Sequence, residues 1–305
     1  MYDSHAHLDL LVEREGMVPT INYNHHLDYH DILKTELWTE LSKVELSQAE
    51  FETWIQDHDF IIQPTVSAQN LIYAARIFKR NPKIFLLLGS HPEIVVNDFN
   101  LEKYLSVLDK LVELIQEPDS KYHQEIFGTD FIKQLVGVGE CGLDYSYTQN
   151  ISLIEKQHEL FEHNIKIALK LGLPLVIHTR DAWNDTWKIL DKYPEIYGNF
   201  LIHCFTGNRQ EVSRVLDRGG KIALGGILTF KNAEYLREAA FYCPIQNIVL
   251  ETDLPFLAPV PYRGKTCMPG MIQETAKVLA AMKETSVEEV WDITKMNVLN
   301  LFKIK

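Results

Sequence analysis

The segment PLVIHTRDAW, residues Pro174 to Trp183, contains the pattern that decides the fold of this chain. Three apolar residues lead directly to His178, and a polar turn follows. A short, continuously apolar run that is bounded by proline and by turn residues is typical of a buried parallel strand. The strand is therefore expected to end in an imidazole.

The same arrangement recurs along the chain. Strands are predicted over Tyr2–His7, Phe60–Thr65, Ile84–Gly89, Leu135–Glu140, Pro174–His178, Phe200–His203, Lys221–Gly225 and Asn247–Glu251. Amphipathic helices are predicted over Ala68–Arg80, Leu101–Ile115, Leu153–Leu171, Arg209–Arg218 and Ala233–Phe241. This alternation predicts an α/β fold, a (β/α)8 TIM barrel, with residues 1–305 as one domain. A doubly wound open sheet is the alternative, but no G-x-G-x-x-G follows the first strand.

Composition narrows the class of protein. Of 305 residues, 46% are hydrophobic and 24% charged, as in ordinary globular proteins. The net charge of −12 argues against broad binding to long nucleic acid, which depends on clustered Lys and Arg. No apolar run approaches the ~20 residues that span a bilayer. The four cysteines follow no C-x-x-C spacing, which favours reduced thiols in a cytoplasmic protein, and no obligate protein partner is evident.

Polar residues stand at or just past six predicted strand ends. They are His7, His91, Glu140, His178, His203 and Asp253. Any one alone has an ordinary structural explanation, such as a hydrogen-bonded core histidine or a paired acid. Together they would meet at the C-terminal rim of a barrel, where barrel enzymes carry their chemistry. Burying so many unpartnered groups would cost several kcal/mol each, and metal coordination removes that penalty.

The first strand strengthens the expectation of a metal site. In "DSHAHLD", residues 3–9, the side chains of His5 and His7 would share one face of the strand and could hold one ion. Two histidines on a partly hydrated strand face, each bonded to backbone or water, are the alternative for this short motif taken alone.

Seven segments resemble a known family. They are DSHAHLDL (3–10), LLLGSHPE (86–93), VGVGECGLDY (136–145), LPLVIHTRDAW (173–183), LIHCFTGN (201–208), ETDLPFLAPVPYRGK (251–265) and NVLNLF (297–302). With these segments in this order along its sequence, the chain resembles the TatD family of metal-dependent hydrolases, within the amidohydrolase superfamily. The resemblance implies a barrel with a dinuclear metal centre that hydrolyses phosphodiester bonds in DNA.

The resemblance also implies roles for particular residues. The metal ligands would be His5, His7, Glu140, His178, His203 and Asp253. Glu140 would bridge two divalent ions in each subunit, and Asp253 would be the general base beside the attacking water. Mixed nitrogen and oxygen donors suit Zn²⁺ as well as Mg²⁺ or Mn²⁺, so the identity of the ions stays open.

Candidate substrate contacts surround these ligands. They are His91, Arg180, Thr206, Arg263 and Lys265. The cationic ones are equally consistent with solvated surface charges. Thr206 is expected to begin a helix whose N-terminus receives an anion. The expected substrate is DNA or an oligonucleotide, acted on at ends or as short single strands. Cys267 stands where the family usually has Asn, which affects the contacts expected from that loop.

Two other functions remain open from the sequence. One is a lactonase, amidase or deaminase acting on a small molecule, because a dinuclear centre activates water in each of these enzymes. Such enzymes commonly use a carbamylated lysine on strand four, where this chain has Glu140. The other is a catalytically silent binding protein, which the retention of six ligand types argues against.

The segment Leu10 to Gln56 is longer than the family pattern and matches it poorly. A loop after the first barrel strand lies on the active-site face. Asn22–His30 is therefore a candidate lid that would favour short or terminal substrates. A helix with Leu33, Leu37, Trp38 and Leu41 at helical spacing is expected to follow. The alternative is a helix that packs passively on the barrel beside solvated histidines.

Overall fold

The computed structural model describes residues 1–18, 46, 48–79, 81–95 and 99–305. Its strands are β1 (Tyr2–Asp3), β2 (Phe60–Gln63), β3 (Ile84–Ser90), β4 (Leu135–Asp144), β5 (Leu175–Arg180), β6 (Phe200–Ile202), β7 (Lys221–Leu224) and β8 (Ile248–Leu250). Each strand pairs in parallel with the next along the chain, in the order β1 to β8.

Helices separate the strands. They are α1 (Leu8–Arg14), α2 (Gln48–Ile55), α3 (Ala68–Ile77), α4 (Leu101–Gln116), α5 (Lys121–Ile126), α6 (Phe131–Gln134), α7 (Ile151–Leu171), α8 (Trp183–Leu190), α9 (Arg209–Asp217), α10 (Glu234–Tyr242), α11 (Ile272–Met282) and α12 (Val287–Phe302). Short 3₁₀ turns cover Pro92–Val95, Pro194–Ile196, Gly226–Thr229, Ile245–Asn247 and Pro269–Met271. No helix in the described ranges combines the length and apolar character needed to cross a membrane.

The sheet closes into a barrel next to its first strand. The backbone N–H of Ser4 donates to the carbonyl of Leu250 at 3.1 Å, and the Ser4 hydroxyl donates to the same oxygen at 2.8 Å. Nearly all residues of the eight strands are buried, as expected where helices cover the outer face and side chains fill the interior. The predicted (β/α)8 barrel is confirmed.

The first strand is shorter than predicted. It ends at Asp3, so His5 and His7 lie between β1 and α1 rather than on a strand face. The chain leaves the ladder because the buried Asp3 carboxylate accepts the N–H of His5 at 3.1 Å and binds the N–H and hydroxyl of Thr252. The two imidazoles nevertheless lie side by side, with ring centroids 5.2 Å apart.

The fourth and fifth strands are longer than predicted. β4 continues to Asp144 and β5 to Arg180, which puts Glu140 and His178 within strands instead of at their ends. The pairing of β4 with β5 shifts register between Val138 and Cys141, next to Glu140. A side chain at Gly89 would place its Cβ 2.1 Å from the carbonyl carbon of Gly139, so the glycine lets β3 approach the backbone that carries Glu140.

The helices predicted within the described residues are confirmed, and none of their ends differs from the prediction by more than three residues. Arg80, the predicted end of α3, lies outside the described residues. The candidate lid Asn22–His30 and the helix predicted after it also lie outside the described residues, so that hypothesis stays a prediction.

Candidate metal centre

Glu140 lies at the centre of five histidines. Its Oε1 lies 2.8 Å from His178 Nδ1, 3.0 Å from His203 Nε2 and 3.6 Å from His91 Nε2. Its Oε2 lies 3.3 Å from His5 Nε2 and 3.4 Å from His7 Nε2. One carboxylate therefore faces two sets of imidazole nitrogens, one set at each oxygen.

Asp253 faces the His5 and His7 side of this cluster. Its Oδ1 lies 3.7 Å from His7 Nε2 and 3.9 Å from His5 Nε2. The residue has a left-handed backbone conformation, with φ of 60°, and its N–H donates to the carbonyl of His5 at 3.0 Å. A conformation that is costly for most residues is thus fixed by the loop that carries the two histidines.

Electrostatics set the charge states of the two acids. Burial raises the pKa of Asp253 to about 6, and the His203 and His7 rings partly oppose that shift. Burial also disfavours ionisation of Glu140, but the surrounding imidazoles outweigh it and hold its pKa well below the usual value. Glu140 is therefore a buried carboxylate anion, held ionised by its histidine neighbours.

The buried His5 ring tests whether the cluster fits a metal ion. Burial lowers the pKa of His5 well below its usual value, so the ring is neutral and one nitrogen carries a free lone pair. Neither ring nitrogen has a hydrogen-bond partner, although Nε2 lies 3.3 Å from Glu140 Oε2. Whichever nitrogen carries the proton, the other keeps a buried lone pair with no donor beside it, and a cation is a partner that satisfies such a lone pair. The donor set therefore fits divalent cations.

Three groups of ligand atoms, each within 4.8 Å of one another, occur among the described residues. They are His5, His7 and Asp253; His91, Glu140 and His178; and His5, His203 and Glu251. All six predicted ligands belong to these groups. His91, predicted as a substrate contact, lies inside the cluster, and its pKa is lowered to about 3 by burial.

The sequence analysis missed two buried acids. Glu251 Oε1 accepts the N–H of Cys204 at 2.6 Å and lies 3.5 Å from His203 Nδ1, while its Oε2 has no hydrogen-bond partner. Asp144 Oδ2 accepts a hydrogen bond from His178 Nε2 at 3.0 Å. The sequence signal that could have identified these two acids is their spacing from the predicted ligands. Glu251 lies two residues before a predicted ligand, and Asp144 four residues after one.

Asp144 fixes the orientation of His178. Its other oxygen, Oδ1, accepts the N–H and hydroxyl of Ser146, so the carboxylate cannot rotate freely. Burial alone would lower the pKa of His178, but the hydrogen bonds with Asp144 and Glu140 outweigh it and raise that pKa. This is the arrangement in which an outer carboxylate sets the tautomer of a metal-binding histidine.

The two arginines predicted as substrate contacts differ in where they lie relative to the histidine cluster around Glu140. Arg180 is exposed at the end of β5. It pairs in register with Asp144 and follows His178 by two residues, which locates it beside the cluster, and its carbonyl accepts the N–H of Tyr145 at 3.0 Å. Arg263 instead lies over the ring of Phe230, with its guanidinium carbon 3.7 Å from the centroid.

Lys265 and Thr206 are the other two candidate substrate contacts. The Lys265 ammonium is exposed and lies 6.0 Å from the ring centroid of Tyr262. Thr206 does not begin a helix, because α9 begins at Arg209. The Asn208 side chain caps α9 by accepting the N–H groups of Gln210 and Glu211 at 2.9 and 3.2 Å. The prediction that this helix begins at Thr206 was wrong, while the role of Thr206 as a substrate contact stays a prediction.

A family comparison explains the arrangement of these residues. The sequence model described as "TatD related DNase" matches residues 2–303. The chain belongs to the TatD family. The resemblance inferred from the seven segments is confirmed, and with it the assignment as a metal-dependent hydrolase.

TatD relatives with curated names share substantial identity with the chain. The "Uncharacterized metal-dependent hydrolase YcfH" of Escherichia coli (strain K12) is 43% identical over 170 residues, which cover 56% of this chain and only 63% of YcfH. The "Uncharacterized metal-dependent hydrolase BU355" of Buchnera aphidicola is 31% identical over 100% of this chain and 99% of its own length. The "3'-5' ssDNA/RNA exonuclease TatD" of Citrobacter rodentium is 31% identical over 53% of this chain and 67% of its own.

Solved TatD structures share the fold. The crystal structure of YJJV, a TatD homologue from Escherichia coli K12, aligns over 100% of this chain and 98% of its own, with a TM-score of 0.72 and 20% identity. A TatD family hydrolase from Entamoeba histolytica aligns over 100% and 98%, with a TM-score of 0.66 and 20% identity. At this level of identity the likeness concerns the barrel alone.

Proposed function

We propose that the protein is a phosphodiesterase that cleaves DNA, acting on ends or short single strands, with two bound divalent ions. The proposed metal ligands are His5, His7, Glu140, His178, His203 and Asp253. One observation carries the proposal. The Glu140 carboxylate lies between two sets of imidazole nitrogens, one at each oxygen. A carboxylate in that position can be shared by two ions, as in dinuclear phosphodiesterases.

Bound divalent ions would neutralise the phosphate and make a water molecule more acidic. This local positive charge makes DNA compatible with a net charge of −12. The name of the Citrobacter rodentium relative, an exonuclease of single-stranded DNA and RNA, supports a nucleic-acid substrate.

Three side chains in or beside the cluster have proposed roles in proton transfer and in substrate binding. Asp253 is the proposed general base that takes a proton from the attacking water, since its carboxylate lies beside His5 and His7 and is partly accessible. Arg180 is the proposed contact of the substrate backbone, because it is exposed beside the cluster. His91 is proposed to hold either a phosphoryl oxygen or an ion next to Glu140.

The experiment that tests this function combines metal analysis with a substrate panel. Purified protein would be tested against single-stranded DNA, RNA, a simple phosphodiester, a lactone and an amide. We expect divalent metal in the protein, cleavage of single-stranded DNA, loss of activity with a chelator, and recovery with Mn²⁺ or Mg²⁺. Hydrolysis confined to the lactone or the amide would contradict the proposal and favour the amidohydrolase alternative.

The substitution Asp144→Asn tests the proposed role of His178 as a ligand. We expect Mn²⁺ affinity to fall about 10- to 100-fold, because an amide nitrogen can donate to His178 Nε2 and leave the proton on the nitrogen that faces Glu140. Titration calorimetry of chelator-treated protein measures the affinity, and ¹⁵N NMR of the imidazole reports its tautomer.

Asp185→Asn is the matched control for this substitution. Asp185 accepts hydrogen bonds from Tyr145 and Lys188 on α8 and contacts none of the proposed ligands in the described residues. Its substitution should leave Mn²⁺ affinity within about twofold of wild type. If Asp144→Asn lowered thermal stability but bound Mn²⁺ normally, Asp144 would be a structural residue only.

A further inference from the structure

Two exposed aromatic rings lie next to the metal centre. Phe256, in the loop after β8, is 50% exposed, and Tyr147, in the loop after β4, is 43% exposed. The ring of Phe256 lies 6.3 Å from that of His7, and the ring of Tyr147 lies 6.1 Å from that of His91, both centroid to centroid and edge to face. One histidine ring therefore lies between each exposed aromatic ring and the Glu140 carboxylate.

Each ring contacts a histidine that faces a different oxygen of the Glu140 carboxylate. His7 lies 3.4 Å from Glu140 Oε2, and His91 lies 3.6 Å from Glu140 Oε1. A phosphodiester bound at the metal centre, next to Glu140, would therefore have one aromatic ring on the side of His7 and another on the side of His91. The two nucleosides joined by that phosphate would extend in these two directions.

Other exposed aromatic rings in the described part of the chain have different surroundings. Three of them lie near cationic side chains: Tyr197 near Arg218, Phe241 near Lys283 and Tyr242 near Arg209. Tyr147 and Phe256 contact histidines of the cluster. A planar ligand bound at the metal centre would therefore have an aromatic ring within reach on either side, and aromatic rings pack favourably on each other.

The turns that carry the rings are fixed. Phe256 N–H donates to the carbonyl of Asp253 at 3.0 Å, which ties its position to the proposed general base. Tyr147 follows the turn that Asp144 holds through Ser146, and its hydroxyl donates to Glu93 at 3.3 Å. Rings on fixed supports lose little freedom when a planar ligand stacks on them.

We propose that Phe256 and Tyr147 are base-stacking positions, one for each nucleobase that flanks the phosphate bound at the metal centre. The ligand is then a strand whose bases are unpaired, since paired bases already stack within a duplex. Arg180, exposed beside Tyr147 and Cys204, provides the charge that accompanies stacking in proteins that bind single strands. This inference rests on the proposed function and extends it to the recognition of bases.

Abasic substrates separate stacking from a structural role of the rings. The variants are Phe256→Ala and Tyr147→Ala, assayed on a short single-stranded oligonucleotide and on strands with an abasic residue on either side of the cleaved phosphate. We expect each variant to raise KM about tenfold on the intact strand, with a smaller change in kcat, because one of the two flanking bases loses the ring on which it stacks. The loss should be several-fold smaller when the base facing the removed ring is absent. Tyr147→Phe should retain the affinity that Tyr147→Ala loses.

Matched controls come from exposed rings elsewhere. Phe241→Ala and Tyr235→Ala remove rings that are 65% and 47% exposed, and each should leave KM within about twofold of wild type. Equal losses on intact and abasic strands would overturn the inference and leave the proposed function standing. Failure of the wild-type protein to cleave any nucleic acid would overturn the proposed function and this inference with it.

Discussion

Replacement of Asp253 by asparagine is expected to lower kcat on single-stranded DNA by about 10²- to 10⁴-fold, the range of a lost general base. The carboxamide has the same shape as the carboxylate and keeps an oxygen near His5 and His7, but it cannot take a proton from water. Metal binding should therefore be largely retained. Steady-state kinetics at saturating Mn²⁺ gives kcat, and elemental analysis of the same samples gives the metal content.

Asp217→Asn is a suitable control, because Asp217 is exposed at the end of α9 and has no contact with a proposed ligand among the described residues. It should behave as wild type in both measurements. The decisive quantity is activity per bound ion. If Asp253→Asn lost metal but kept full activity for each ion that remained, Asp253 would act as a ligand and not as a base.

The barrel could be predicted because the same sequence pattern recurs at each of its strands. Segments such as Pro174–His178 combine a buried apolar run with a polar end, and closure of eight such units brings the ends together. The six ligands proposed from the family pattern converge in the structure for that reason. Local periodicity did not predict where β1 ends, because that point depends on the hydrogen bonds of Asp3 with Thr252, nearly 250 residues away along the chain.

The residues that the sequence analysis missed depend on tertiary contacts. Asp144 and Glu251 look like ordinary acids in the sequence, and their roles follow from which histidine nitrogen each one faces. β4 continues to Asp144 beyond the register shift beside Glu140, so that Asp144 contacts His178, and no local pattern encodes that shift. The same holds for Phe256 and Tyr147, since exposure of an aromatic ring is decided by the surrounding loops.

Replacement of Glu140 by glutamine is expected to have the largest effect on the metal centre. The amide has no charge, and its NH₂ group would face nitrogen lone pairs at one of the two sides now occupied by carboxylate oxygens. Loss of a shared ligand should weaken Mn²⁺ binding by more than about a hundredfold, beyond the effect of outer-sphere partners. Activity on single-stranded DNA should fall in parallel.

Titration calorimetry with Mn²⁺ and elemental analysis distinguish this result from that of Asp253→Asn. The latter variant keeps metal and loses turnover, whereas Glu140→Gln should lose both. Glu211→Gln is the control, because Glu211 is a half-buried acid that accepts from Trp187 outside the cluster. Normal Mn²⁺ affinity in Glu140→Gln would mean that the two sets of imidazoles bind ions without a shared carboxylate. The observation that carries the proposed dinuclear phosphodiesterase, a carboxylate shared by the two sets of imidazoles, would then fail.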